Sequence, residues 1–114
     1  MEIPFSTPGG LAGSVRLSFP TRVYAGEVAE INARISLKAG VDKSNPATLT
    51  ARLEAGIEEI NPAGEVSINL SAGSPVEFSW LIRTARESTY PGYLWLWLET
   101  NHNRELILAR EFVL

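Results

Sequence analysis

The chain has 114 residues and a net charge of −3, and 45% of its residues are apolar. This length corresponds to one domain, and the composition excludes a disordered chain. Its ten basic residues form no concentrated basic face that would bind nucleic acid, and the absence of cysteine excludes disulfides, thiolate zinc sites and cysteine nucleophiles.

Residues 1–13 carry prolines and glycines without any periodicity, which indicates an irregular N-terminal arm or linker. Pro8, Gly9 and Gly10 do not make a phosphate-binding turn, because no strand precedes them and no Lys-Ser/Thr pair follows. Residues 14–114 are predicted to form the folded domain.

Apolar and polar residues alternate with the two-residue period of a half-buried strand in residues 14–19, 31–37, 48–55, 65–70 and 76–83. Residues 93–98 and 105–113 form two further strands that are apolar on both sides. In residues 105–113 the pattern places on one face Leu106, Leu108, Arg110 and Phe112, and on the other Ile107, Ala109, Glu111 and Val113. Between residues 56 and 64 we expect a short edge piece and a reversal. Turn residues separate all these segments, and no helical spacing is sustained, so the sequence predicts an all-β, antiparallel sandwich of seven strands.

The segment from Tyr93 to Leu98 is apolar at every position and should be covered on both sides. It is also the longest fully apolar run, far shorter than the roughly 20 residues that span a bilayer, so we expect no transmembrane segment in this chain. Three aromatic residues alternate with three leucines along it. All six are candidate partner-binding residues: Tyr93, Leu94, Trp95, Leu96, Trp97 and Leu98.

One of these two sets enters the core, and the sequence does not decide which. The outer set has three possible covers. The first is the chain itself, through Arg and Glu side chains of adjacent strands or through Ile3, Phe5 and Leu11 of the N-terminal arm. The second is another protein domain or a second copy of this chain. The third is a carbohydrate stacked on exposed tryptophans.

Three features carry a resemblance to immunoglobulin-like and fibronectin type III-like modules of bacterial extracytoplasmic proteins. They are the P-x-x-V-x-x-G-E motif of residues 20–27, Trp80 on the fifth predicted strand, and Pro91-Gly92-Tyr93 before the sixth. The resemblance implies that Tyr93 forms a tyrosine corner, which would turn the aromatic residues inward. It also implies a periplasmic or cell-surface location, with any signal or anchor outside this sequence.

Titratable groups suited to catalysis are scarce. His102 is the sole histidine and Asp42 the sole aspartate, and no nucleophile-elbow turn accompanies them. Adjacent Glu58 and Glu59 point to opposite faces of an extended segment, and Asp42, Ser44 and Asn45 are too few ligands for calcium. We therefore expect no enzyme, no metal and no cofactor. The predicted function is a non-catalytic protein-interaction or spacer module of a larger protein, with a carbohydrate-binding module as the alternative.

Overall fold

The computed structural model describes residues 1–6, 12–20, 24–39, 47–57, 59–70, 76–85, 90–100 and 103–113. Within these residues all regular structure is β-strand: β1 (Glu2–Ser6), β2 (Ala12–Ser18), β3 (Val28–Ala39), β4 (Thr48–Ala55), β5 (Glu59–Asn61), β6 (Glu65–Asn69), β7 (Val76–Arg83), β8 (Pro91–Thr100) and β9 (Asn103–Val113). The predicted all-β class is confirmed. The predicted number of strands is too small, because β1 and β5 add to the expected seven.

The strands form two antiparallel sheets, one in the order β1-β2-β3-β7-β5 and the other in the order β6-β4-β8-β9. The first sheet contains the A-B-E-D order of an immunoglobulin domain as β2-β3-β7-β5, and the second contains C-F-G as β4-β8-β9. β6 lies beside β4, in the place of strand C′. One departure is that β5, in the place of D, precedes β6 along the chain. The immunoglobulin-like sandwich is thus visible in the strand order itself.

The core lies between the sheets and is built from the residues whose alternation predicted the strands. In β7, Val76, Phe78, Trp80 and Ile82 are buried while the residues between them are exposed. Trp80 is the largest fully buried side chain, and its ring lies 6.0 Å from that of Phe78. Burying an apolar side chain of the size of Phe78 contributes about 1.5–3 kcal/mol. The core is therefore fixed mainly by the inward faces of β2, β3, β4, β7 and β8.

The N-terminal segment belongs to the sandwich. β1 pairs with β2, and Ile3 and Phe5 are buried. Pro4 lacks a backbone donor but is tolerated because β1 lies at the edge of its sheet. The prediction of an irregular arm is therefore wrong for residues 2–6 and 12–13, while residues 7–11 lie outside the described residues. Ile3 and Phe5 pack in the core, so the prediction that they cover an outer stripe is also wrong.

Gly92 lies opposite Phe112 in the β8–β9 pair, at a place with no room for a side chain. A Cβ atom added at Gly92 would lie 2.7 Å from Cζ of Phe112, with two further ring carbons at 3.0 and 3.1 Å. The absence of a side chain at residue 92 is what lets the Phe112 ring lie against β8.

We expect Gly92→Ala to lower the free energy of unfolding by about 1–3 kcal/mol, because the Phe112 ring must move out of a packed core. Chemical denaturation measures the loss. Gly56→Ala is the matched control, since no atom lies within 4 Å of a Cβ at residue 56. Equal effects of the two substitutions would contradict this account of Gly92.

Candidate interaction surface

The orientation of β8 determines which of its side chains form the outer surface. Leu94 and Leu96 are 0% and 1% exposed, and Leu98 packs partly buried against the core. The leucines therefore face inward, and the three aromatic residues face outward. We call Tyr93, Trp95 and Trp97 the aromatic stripe; Tyr93 is 40% exposed, and the two tryptophans are half-buried.

The tyrosine corner predicted at Tyr93 is wrong, because this residue lies on the outer face. The tyrosine that bonds back to the preceding chain is Tyr90. Its hydroxyl forms a hydrogen bond of 2.5 Å with the hydroxyl of Thr84, which is buried. Tyr90 precedes the Pro-Gly pair, whereas the resemblance had assigned the role to the tyrosine after it.

The rings of the aromatic stripe form a row along β8. Tyr93 and Trp95 have centroids 6.4 Å apart with planes inclined by 28°, and Trp95 and Trp97 have centroids 6.2 Å apart with planes inclined by 9°. Aromatic pairs at this separation contribute about 0.5–1.5 kcal/mol beyond the area they bury. The stripe is therefore an ordered surface, held by its own ring contacts.

Arg104 covers one end of the aromatic stripe. Its Cζ lies 4.3 Å from the centroid of the Trp97 ring. Its Nε donates to Oε1 of Glu99 at 3.0 Å, and its Nη2 donates to Oε1 of Glu65. Glu65 is on β6, at the opposite edge of the sheet from β9. We call this arrangement the Arg104 clamp, because one side chain connects the two edge strands across Trp97.

The clamp and Trp97 create a small buried layer outside the sheet. Thr50 lies opposite Trp97 on β4 and is only 1% exposed, although it belongs to the outward face. Its hydroxyl forms a hydrogen bond of 2.8 Å with that of Ser67 on β6. The predicted cover by Arg and Glu side chains is thus confirmed for the Trp97 end of the stripe, while Tyr93 stays exposed.

The apolar surface continues from the stripe towards β9. The pairing of β8 and β9 shifts by one residue between Leu96 and Trp97, so that Ile107 is an extra residue in a β-bulge. Leu106 therefore faces outward beside Trp97 and is 49% exposed, whereas Leu108 lies opposite inward-facing Leu96. The prediction that Leu106, Leu108, Arg110 and Phe112 share one face is wrong for Leu106, because it assumed an uninterrupted alternation; the other three lie opposite Leu96, Leu94 and Gly92.

The outer face of the five-stranded sheet carries charged side chains. A row of charged residues crosses it, in the order Glu2, Arg16, Arg34 and Glu77. Its exposed apolar residues, Val28 and Leu81, lie beside Glu59, Asn61 and Arg83 around a shallow pocket. The aromatic stripe and Leu106 lie on the outer face of the sheet that contains β8.

The described residues contain no group of three or more His, Asp or Glu side chains that could hold a metal ion. His102, Asp42 and Glu58, which the sequence raised as candidates, lie outside the described residues. Within the part of the chain that the structure describes, no helix is long and apolar enough to cross a membrane.

Comparisons with known proteins give a likeness of fold. No protein-family model matches the chain, and no curated protein matches it. A similar solved structure is a chain of the complex between Zinc 2-glycoprotein and Prolactin inducible protein from human seminal plasma. It has a TM-score of 0.61 at 10% identity and covers 87% of this chain and 90% of that one. This likeness supports the immunoglobulin-like sandwich and, at that identity, shows the fold alone.

Proposed function

We propose that the protein is a non-catalytic protein-interaction module, and that the aromatic stripe with Leu106 is its contact surface. The observation that carries this proposal is the exposure of Tyr93 and Leu106 at the two sides of an ordered row of tryptophans. Tyrosine and tryptophan are enriched in protein interfaces because they bury much area with little loss of conformational freedom.

The surroundings of the stripe fit this function. On the β4 side it is bordered by Arg52 and Glu54, which form an ion pair of 3.2 Å, and on the β9 side by Glu111. An apolar centre with a charged rim is the usual anatomy of a protein interface. The similar solved structure comes from a complex of two proteins, which supports a protein as the partner.

A photo-crosslinking residue in place of Tyr93, in the full-length protein in its native cell, is expected to form a discrete adduct with one partner. The same residue in place of Glu77 is the control, because Glu77 is exposed on the charged face of the other sheet. Mass spectrometry of the adduct identifies the partner. Equal, diffuse labelling at both positions would refute the stripe as a contact surface and favour a spacer module.

A carbohydrate-binding module is the second candidate, favoured by the near-parallel planes of Trp95 and Trp97. The guanidinium of Arg104 already lies over one of these rings, which leaves Tyr93 and Trp95 to stack on a sugar. A saturable change in tryptophan fluorescence on titration with a polysaccharide, abolished by Tyr93→Ala, would decide for this alternative.

The proposal includes an extracytoplasmic location within a larger protein of bacterial origin. It is supported by the resemblance carried by residues 20–27 and by the sandwich fold. The flanking sequence of the full-length gene product is the direct test, because a signal peptide or membrane anchor there would establish the location.

A further inference from the structure

β9 is a long edge strand. It runs from Asn103 to Val113 at the end of the sheet order β6-β4-β8-β9 and pairs with β8 on one side. On its other side no strand forms a ladder with it among the described residues, although β1 of the other sheet contacts it. An edge of this length offers backbone donors and acceptors that can extend the sheet into another chain.

The sequence of β9 is complementary to itself in an antiparallel arrangement. It carries Arg104-Glu105 near its start and Arg110-Glu111 near its end. If Ile107 lies opposite Leu108 of a second copy, then Glu105 lies opposite Arg110 and Arg104 lies opposite Glu111, each pair occurring twice. Opposite charges placed directly across two strands stabilise the pairing, and like charges oppose it.

The β-bulge makes this register possible. In a regular strand Glu105 and Arg110 would point to opposite faces, because they are an odd number of residues apart. With Ile107 as the extra residue, Glu105 and Arg110 lie opposite Leu98 and Leu94, on the inward side. By the same shift, Leu106 and Ala109 both lie on the outward side, opposite Trp97 and Trp95.

The charges of the Glu105–Arg110 pair are available. Glu105, Arg110 and Glu111 take part in none of the ion pairs among the described residues, whereas Arg104 is held by the Arg104 clamp. Bulges and inward-pointing charges normally prevent an edge strand from pairing with an arbitrary strand. A second copy in this register accommodates the bulge and pairs the inward-pointing charges.

We propose that β9 pairs antiparallel with β9 of a second copy of this chain, with Glu105 of each copy opposite Arg110 of the other. The two four-stranded sheets then form one continuous sheet, and both aromatic stripes lie on the same side of it. This inference goes beyond the proposed function by naming a partner at a different surface, the strand edge.

Charge reversal tests the register. In sedimentation equilibrium up to about 1 mM we expect the wild-type chain to dimerise, and Glu105→Arg and Arg110→Glu each to weaken the dimer about tenfold or more. An equimolar mixture of the two variants should dimerise again, because one chain then carries two positive charges where the other carries two negative ones. Glu77→Arg is the control of equal charge change and should leave the dimer unchanged.

Engineered cysteines give a second measurement. Because the chain has no cysteine of its own, any disulfide must form between the introduced residues. Leu106→Cys and Ala109→Cys lie opposite each other in the proposed register, so their mixture should form a disulfide faster than either variant alone. A wild-type monomer throughout the concentration range, or variants that fail to complement, would overturn the inference. Neither result affects crosslinking at residue 93, so this failure is distinguishable from failure of the proposed function.

Discussion

Trp80→Ala is expected to lower the free energy of unfolding by about 3–5 kcal/mol, the range typical of removing a large aromatic side chain from a core. Trp80 is 1% exposed and stacks on Phe78. A domain is stable by only about 5–15 kcal/mol in total, so this variant loses a large share of its stability. The shift of the urea midpoint at constant slope measures the change.

Trp80→Phe is the informative companion. The indole Nε1 of Trp80 is buried without a hydrogen-bond acceptor among the described residues. Phenylalanine keeps an aromatic ring against Phe78 and removes this unsatisfied donor, which offsets part of the lost volume. We expect a loss less than half of that for Trp80→Ala. Equal losses would show that the ring contact with Phe78 contributes little.

Leu94→Ala is expected to lower the free energy of unfolding by about 2–5 kcal/mol, because it opens a cavity between the two sheets. Tyr93→Ala, one residue away on the opposite face, should cost about 1 kcal/mol or less, mainly through its contact with Trp95. Thermal or chemical denaturation of the pair determines which face of β8 is the core face. A larger loss of stability for Tyr93→Ala than for Leu94→Ala would contradict the inward orientation of Leu94.

Strands with one buried and one solvent-exposed face were predictable from the sequence. β7 is the clearest example, because each of its inward residues is apolar and each exposed one is polar except Leu81. The same reasoning placed Ile31, Ala33 and Ile35 of β3 in the core. Burial on one side only leaves a period of two in the sequence, and this period is what the prediction used.

β1 was missed although it carries the same signal. Ile3 and Phe5 alternate with Glu2, Pro4 and Ser6, but the proline and the glycines that follow are also typical of irregular chain. Proline excludes a central strand and is compatible with an edge strand. Recognising the edge would have required knowing the sheet order, which local sequence does not contain.

The orientation of the candidate surface was not predictable for a different reason. Both faces of β8 are apolar between Tyr93 and Leu98, so hydrophobicity does not separate the core side from the outer side. The two faces of β8 are distinguished by tertiary contacts. These are the bulge at Ile107, the packing of the Phe112 ring and the ion pair of Arg104 with Glu65. These contacts join residues far apart in the chain.

Gly92 has a consequence for folding fidelity. A strand that is apolar on both faces can slip by one residue against its neighbours and still bury a continuous row of apolar groups, so its pattern does not penalise the slipped pairing. Slippage of β8 against β9 would place Pro91 or Tyr93 opposite the Phe112 ring, where only a residue without a side chain fits. Gly92 therefore favours the native register of β8 with β9 over the registers that are shifted by one residue.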